Sequence, residues 1–126
     1  NGSTIRINGG TSGNKLGGAF IQNGVFADIT AVSPDSTFRV DNFPTYAIPR
    51  GNNKGWYTLT FFPDFSSVLT PIAGKVLIIR TASGKYAKVE IICYYKGGVT
   101  PSASSAKDER YYKFQYSYQS NGSKTF

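Results

Sequence analysis

The side chains that most often carry chemistry in proteins are scarce in this sequence. It contains no histidine and no methionine, and its one cysteine is Cys93. The commonest general base, the commonest metal ligand and the soft thioether ligand are therefore absent together. Cys93 follows Ile91 and Ile92 in an apolar run, which predicts a small buried hydrophobic side chain. This composition favours a binding protein over an enzyme.

The remaining polar residues do not form a recognisable catalytic set. Asp108 and Glu109 are adjacent, so their side chains diverge in either a strand or a loop. Asp35 and Asp64 lie in predicted turns, where aspartate commonly accepts hydrogen bonds from backbone N–H groups. Serine is frequent, but there is no histidine to activate it and no Gly-x-Ser-x-Gly elbow. A Ser/Lys dyad is the remaining catalytic alternative, and we predict no enzymatic activity.

The net charge of +7 raises the question of an acidic partner. Nucleic acid, anionic lipid or an acidic small molecule would each suit a basic chain. The lysines and arginines are scattered singly, which favours a solvated basic surface, and no nucleic-acid partner is predicted. The glycine-rich residues 9–13 lack the Gly-Lys-Ser/Thr ending of a phosphate loop, so we interpret them as a hairpin loop.

The elements that must position any site are predicted to be strands. A length of 126 residues suits one domain, and Gly 14, Tyr 9 and Phe 9 favour many short strands joined by turns. We predict an all-β domain over residues 1–126, built from mostly antiparallel twisted sheets and hairpins with little or no helix. The expected strands cover residues 4–8, 18–22, 25–30, 35–40, 56–62, 75–81, 86–95 and 111–119, with a single helical turn in 103–110 as the best helix candidate.

Two of these patterns carry specific expectations. Residues 75–81 and 86–95 flank a Ser83-Gly84 turn and predict a hairpin with Ile78, Val89 and Ile91 largely buried. Arg80 ends the first strand and is expected to need a partner, at a cost of about 3–5 kcal/mol if that pair is buried and broken.

The second pattern is an aromatic alternation in the last predicted strand. One face would carry Tyr112, Phe114, Tyr116 and Tyr118, while Lys113 lies on the other. Such a face is either a platform for stacking bases or a set of core aromatics. Because no cation shares the aromatic face, we predict that these side chains pack in the core or on the sheet.

Three stretches of the chain carry a family resemblance: residues 5–13 (IRINGGTSG) with Gly17-Gly18-Ala19, residues 76–91 (VLIIRTASGKYAKVEI) running on to Tyr94-Tyr95, and residues 112–119 (YKFQYSYQ). They resemble the HmuY-like haemophores, the haem-binding surface lipoproteins of Bacteroidetes bacteria. The resemblance implies a hand-like all-β fold that grips haem between hairpins, a cell-surface, outer-membrane or secreted location, and a role in iron acquisition. Family members usually carry one more strand upstream, which implies that this chain begins within the mature domain.

The chain departs from the family at the haem ligands. Relatives ligate haem through two histidines or two methionines, and one ligand follows a Gly-Trp strand start that this chain matches at Gly55-Trp56. Counting on from Trp56 reaches Phe61 or Phe62, so neither scheme is available here.

Three alternatives remain open. Tyr46 or Tyr57 supplies a phenolate to the iron; or a porphyrin is held without an axial ligand; or the fold serves another ligand. In the second alternative Arg50 or Lys54 meets the propionates, and the packing side chains are Trp56, Phe61, Phe62 and Phe65. No other metal site is predicted.

The resemblance also implies partners. We expect haem or another small apolar ligand and an outer-membrane receptor. Independently of the resemblance, an unpaired sheet edge invites association, so we expect an edge-strand homodimer or an upstream fragment to cover it. The rival hypothesis is a protein-interaction or structural module of the cell envelope that binds no small ligand.

Overall fold

A computed structural model describes residues 4–7, 16–102 and 108–126. These ranges contain six strands, three short 3-10 turns and no α-helix. The strands are β1 (Gly18–Asn23), β2 (Tyr57–Phe61), β3 (Ser67–Pro71), β4 (Lys75–Arg80), β5 (Tyr86–Tyr95) and β6 (Glu109–Gln119). The mostly β, antiparallel class predicted from the sequence is confirmed.

Four strands form one antiparallel sheet in the order β1-β4-β5-β6, and β2 pairs with β3 in a separate hairpin. The predicted β4–β5 hairpin is confirmed, with Arg80 opposite Tyr86 and a turn in which Gly84 adopts a φ of +75°. Ile78 and Ile91 are buried as expected, whereas Val89 is only half-buried. Val89 is less covered because it lines an open groove on this side of the sheet.

The sheet has two faces, and each carries its own core. On face A, the facing residues of β4, β5 and β6 include Leu77, Val89 and Tyr116. On face B, the facing residues of the same three strands include Val76, Glu90 and Gln115. The β2–β3 hairpin and Trp56 pack on face A. Residues between β1 and β2, including Ile29, Val32 and Phe38, pack on face B together with Phe126, which follows β6.

Face B contains a buried lysine. The alternation of β5 predicted Lys88 and Glu90 on one face, and both lie there, but both are buried. The Lys88 Nζ donates to the carbonyl oxygens of Phe26 at 2.7 Å and Ile29 at 2.8 Å, and it lies 4.4 Å from the centre of the Phe26 ring and 5.5 Å from that of Phe126. We call this arrangement the Lys88 clasp, because it joins the sheet to both flanking segments.

Two predicted strands are wrong. Residues 25–30 contain a 3-10 turn at Phe26–Asp28, and residues 35–40 begin with another at Asp35–Thr37. Pro34 and Asp35 favour a turn over a strand at that point, and Arg39 retains an isolated bridge to Ala19.

Strand β3 was not predicted, since it is short, follows the break at Pro63 and ends in Pro71.

Three further predictions concern residues that form no strand or lie partly outside the described ranges. Thr4 to Ile7 form no strand, although the Asp41 N–H donates to the Ile7 carbonyl. Asn8 and the glycine-rich residues 9–13 lie outside the described ranges, as do residues 103–107 of the helix candidate. Glu109 and Arg110 of that candidate belong to β6.

Candidate functional site

Residues 42–50, the Tyr46 loop, form a compact turn between the two cores. Asn42 and Thr45 exchange backbone hydrogen bonds, which closes a tight turn around Phe43 and Pro44. The turn leaves the Phe43 side chain 82% exposed. A large apolar side chain held this far into solvent is a candidate ligand contact, because its burial by a ligand would remove apolar surface from water.

Asp41 fixes the Tyr46 loop to the N-terminal segment. Its buried carboxylate accepts hydrogen bonds from the backbone N–H groups of Ala47 and Ile7, each at 3.0 Å. The same carboxylate lies 3.3 Å from the Nε of Arg6. This shared anchor brings Arg6 beside Tyr46, although the two are far apart in sequence.

The Tyr46 ring contacts two guanidinium groups. The Arg6 guanidinium carbon lies 4.3 Å from the ring centre and that of Arg50 lies 5.4 Å from it, both within the range of cation–π attraction. Arg6 is already paired with Asp41, whereas Arg50 has no acidic partner among the described residues. Arg50 is exposed, so its N–H groups can meet an anionic ligand.

A shallow cavity of about 460 Å³ opens at this point and is lined by Phe43, Pro44, Thr45, Tyr46, Pro49 and Arg50. Its walls combine aromatic and proline surfaces with one cation. Such a combination suits a flat apolar ligand that carries a carboxylate.

The structure therefore places Tyr46 and Arg50 in the lining of one cavity, and this lining does not include Trp56 or Tyr57. Trp56 is 2% exposed and Tyr57 is 0% exposed, so neither side chain presents surface to a ligand in this structure. The Tyr57 hydroxyl also accepts a hydrogen bond from the Gly51 N–H at 2.9 Å. Both aromatic rings serve the face A core.

The three predicted phenylalanines lie at the tip of the β2–β3 hairpin. Phe62 is half-buried against the face A core, while Phe61 and Phe65 are exposed. Phe65 has a φ of +63° in the turn and is 99% exposed. Lys54 is exposed in the turn that precedes β2, outside the lining of the Tyr46 cavity.

Sequence reasoning did not find two residues of this site. Arg6 lies in a segment interpreted only as a strand, and Phe43 precedes a proline in a predicted loop. The available signal for Phe43 in the sequence was its position as a large apolar residue directly before Pro44. No local sequence pattern predicts that Arg6 belongs to the site, because Arg6 is positioned by the buried carboxylate of Asp41, which lies in another part of the chain.

A larger cavity, of about 650 Å³, lies on face B and has Lys75, Glu90 and Gln115 in its wall. The Glu90 carboxylate is buried and accepts hydrogen bonds from the Gly74 N–H at 2.7 Å and from the Gln115 side-chain amide at 2.6 Å. A carboxylate in the wall repels a ligand carboxylate, and Lys75 is engaged with Asn23. The smaller Tyr46 cavity is the better candidate for an anionic ligand.

The sequence matches no protein-family model and no curated protein. In residues 4–7, 16–102 and 108–126, no helix is long and apolar enough to cross a membrane. The same residues contain no group of three or more cysteine and acidic side chains placed to hold a metal ion.

Proposed function

We propose that this chain is an extracytoplasmic ligand-capture domain, and that its Tyr46 loop binds an apolar ligand bearing carboxylates. Haem is the ligand that the sequence resemblance implies. The observation that carries the proposal is the contact of the Tyr46 ring with the guanidinium groups of Arg6 and Arg50, in a cavity that the exposed Phe43 also lines.

The chemistry of capture follows from these side chains. Arg50 donates charge-assisted hydrogen bonds to a propionate, and Phe43 and Tyr46 pack on the porphyrin plane. Tyr46 is also the better phenolate candidate for ferric iron, because the Tyr57 hydroxyl is buried and already bonded to Gly51. The proposed location is the cell surface or the outer membrane, as a lipoprotein or secreted protein that delivers its ligand to a receptor.

Titration of the whole chain with haemin, followed in the Soret region, tests this function. We expect a high-spin ferric spectrum and an affinity below that of histidine-bearing relatives, since the chain has no imidazole and no thioether. A low-spin, bis-ligated spectrum would falsify the ligand scheme. An unchanged spectrum and unchanged protein fluorescence would reject haem as the ligand.

Arg50→Ala tests whether haemin affinity depends on the Tyr46 cavity or only on the net positive charge of the protein. A hydrogen bond to a charged group contributes about 1.5–3 kcal/mol, so we expect roughly a 10- to 100-fold loss of haemin affinity. Lys54→Ala is the matched control, because it removes one positive charge nearby without changing the cavity lining. Equal losses from the two variants would show that net charge, and not the Tyr46 cavity, governs binding.

Tyr46→Phe tests the axial ligand itself. The variant keeps the aromatic ring that contacts the two guanidinium groups and removes only the hydroxyl. If Tyr46 ligates the iron, the tyrosinate-to-iron charge-transfer bands of the haemin complex disappear in this variant and persist in Tyr57→Phe. Unchanged spectra in both variants would favour capture by packing and Arg50 without a protein ligand to the iron.

A second candidate function is a protein-interaction module of the cell envelope, and the exposed aromatic side chains of β6 favour it. The two functions use different surfaces and do not exclude each other. We propose no enzymatic activity for either.

A further inference from the structure

Strand β6 lies at the edge of the four-stranded sheet and is 11 residues long. It pairs with β5 along one side, and no strand in the described part of the chain pairs with its other side. From Phe114 to Gln119 the register of β6 against β5 is regular. The two irregularities lie nearer the start of β6, where it faces residues Ile91 to Tyr95 of β5. The regular part therefore presents a straight row of outward backbone groups.

The aromatic side chains of β6 are exposed on the sheet and do not lie in the core, so only the core half of the prediction is wrong. Phe114 is 52%, Tyr116 65% and Tyr118 50% exposed. They stay outside the core because β6 is the last strand of the sheet, and none of them belongs to the described core cluster that contains Trp56 on face A.

The exposed rings continue an apolar groove on face A. A cavity of about 480 Å³ is lined by Thr4, Ile5, Leu77, Ile79, Val89, Ile91, Tyr112 and Phe114. Phe114 stands at its rim, and the Tyr116 ring lies 6.1 Å from the Phe114 ring. The groove and the exposed rings together form an apolar surface larger than scattered single side chains would give.

The second half of β6, from Phe114 to Gln119, lacks the features that keep natural edge strands apart, whereas its first half is irregular and charged. Proteins protect an edge with proline, with short or bulged strands, or with charged side chains, especially lysine. Residues Phe114 to Gln119 contain no proline, no glycine and no charge. Lys113 is the nearest lysine, and it precedes this stretch.

We propose that β6 pairs with β6 of a second copy of this chain, so that two four-stranded sheets join across a twofold axis. Antiparallel pairing about an axis normal to the sheet keeps face A on the same side in both copies. Every such register places even-numbered residues of one copy opposite even-numbered residues of the other. Aromatic rings therefore meet aromatic rings across the junction, which is a favourable cross-strand pairing.

Charge favours a second copy over a charged partner. The chain carries +7, but the stretch from Phe114 to Gln119 is neutral, so two copies meet there without local repulsion. The same neutrality gives an acidic or basic peptide no contact that would select it. A register centred on Lys113 would place the two lysines opposite each other and is excluded; centres at Phe114, Gln115 or Tyr116 remain.

The exposed area predicts a weak dimer. An aromatic side chain buries about 150–250 Å² when covered, so three half-exposed rings contribute about 300 Å² per copy. Stable interfaces bury about 800 Å² per partner, and the backbone and flanking groups make up only part of the difference. We therefore expect dissociation in the micromolar range or above, and a dimer that forms with increasing concentration.

Sedimentation velocity of the whole chain over a wide concentration range, without haemin, is the first test. We expect monomer at low concentration and dimer at high concentration. Tyr116→Lys places a charge at the junction and should weaken dimerisation at least tenfold, while Thr70→Lys on β3 is the control with the same added charge. A chain that stays monomeric at millimolar concentration, or a dimer that both variants leave intact, would overturn the proposal.

Cysteine cross-linking gives a second test that does not rely on a folded Tyr116→Lys variant. Native Cys93 is buried, so an introduced cysteine is the accessible thiol among the described residues. A residue on the twofold axis faces its own copy at a distance that a disulfide can span. We expect one of Phe114→Cys, Gln115→Cys or Tyr116→Cys to cross-link, and Thr70→Cys not to.

Cross-linking at Thr70 alone would place the interface elsewhere and refute β6 pairing. Monomers that instead bind a neutral peptide of alternating apolar residues would show that the edge takes another chain, which also refutes the second copy. Since neither test uses haemin, failure here leaves the ligand-capture proposal standing, and failure of haem binding leaves this one standing.

Discussion

Two groups of aromatic residues meet in this domain and have opposite surroundings. Trp56 and Tyr94 are buried, whereas Phe114 and Tyr116 of β6 are exposed. Tyr112 lies between the two groups, with its ring 6.0 Å from Trp56 and 5.3 Å from Tyr94. Similar side chains thus face a packed interior at one end of β6 and solvent along the rest of it.

Position in the sheet, and not side-chain type, decides whether these aromatic residues are buried. Aromatic alternation predicts a strand in both places because aromatic residues suit a pleated surface. Whether a second layer then covers that surface depends on the topology. Trp56 has the β2–β3 hairpin beside it, and β6 has neither a further strand nor a layer over its aromatic face in the described structure.

Trp56→Ala should give the largest effect and tests this contrast directly. Truncating a buried tryptophan removes its packing and leaves a cavity, so we expect a loss of about 3–5 kcal/mol in the free energy of unfolding. Tyr118→Ala, at the exposed end of β6, should change it by less than about 0.5 kcal/mol. Denaturant unfolding followed by circular dichroism measures both, and equal losses would contradict the division into two groups.

Tyr57→Phe should give a smaller loss from the same buried group. The ring stays in place, but the Gly51 N–H loses its acceptor at 2.9 Å. Leaving a part-buried donor without a partner costs about 1–3 kcal/mol, and we expect the lower end because Gly51 is half-buried and can reach water. A stability equal to that of the unsubstituted chain would show that this hydroxyl is not needed.

Arg80→Ala should cost about 1 kcal/mol or less, below the range predicted for a buried pair. Arg80 does have a partner, Asp35, at 3.6 Å, and its Nε donates to the Leu16 carbonyl at 2.6 Å. The Asp35 side chain is 57% exposed, and exposed ion pairs contribute little. Its guanidinium also lies 4.9 Å from the Phe38 ring, so Arg80→Lys should retain part of the contact. A loss above about 3 kcal/mol would restore the buried-pair interpretation.

The smallest expected effect is on pH dependence. A hydrogen bond from Lys124, with further contributions from Tyr86 and Arg80, holds the pKa of Asp35 below its ordinary value of 3.8. A carboxyl group with a lowered folded-state pKa stabilises the fold above its unfolded pKa and loses this contribution as pH falls through the folded value. Unfolding midpoints from about pH 6 to about pH 2 should therefore decline less steeply in Asp35→Asn. Identical profiles would show that Asp35 does not couple to stability.

Local pattern predicted some elements well and others not at all. The β4–β5 hairpin and the bounds of β6 follow from apolar runs, alternation and the turn at Gly84, all of which are local signals. Strand β3 and the 3-10 turns before β2 depend on which segments the sheet faces recruit, and sequence alternation does not report that. Sequence alternation predicted the bounds of β5 correctly, but it did not predict that Lys88 is buried, because the burial depends on the segments that cover face B.

The candidate site divides in the same way. Tyr46 and Arg50 were each predicted, in different alternatives, and they share a cavity because the loop that joins them is short. Arg6 joins them through the buried Asp41 carboxylate, a contact between distant segments that no spacing reveals. Trp56 and Tyr57 were selected as aromatic residues near a family ligand position, but the layer over face A encloses them.

The Lys88 clasp bears on how fast the domain assembles. Its two carbonyl acceptors lie 62 and 59 residues away along the chain, and its second ring belongs to Phe126. Contacts between such distant segments require large loops to close before they contribute any free energy, which slows folding relative to helical proteins of this size. Because Lys88 exchanges water for these contacts only when the flanking segments dock, we expect the clasp to form late in folding. Its loss should then speed unfolding more than it slows folding, which makes Lys88 a residue that lengthens the lifetime of the folded state.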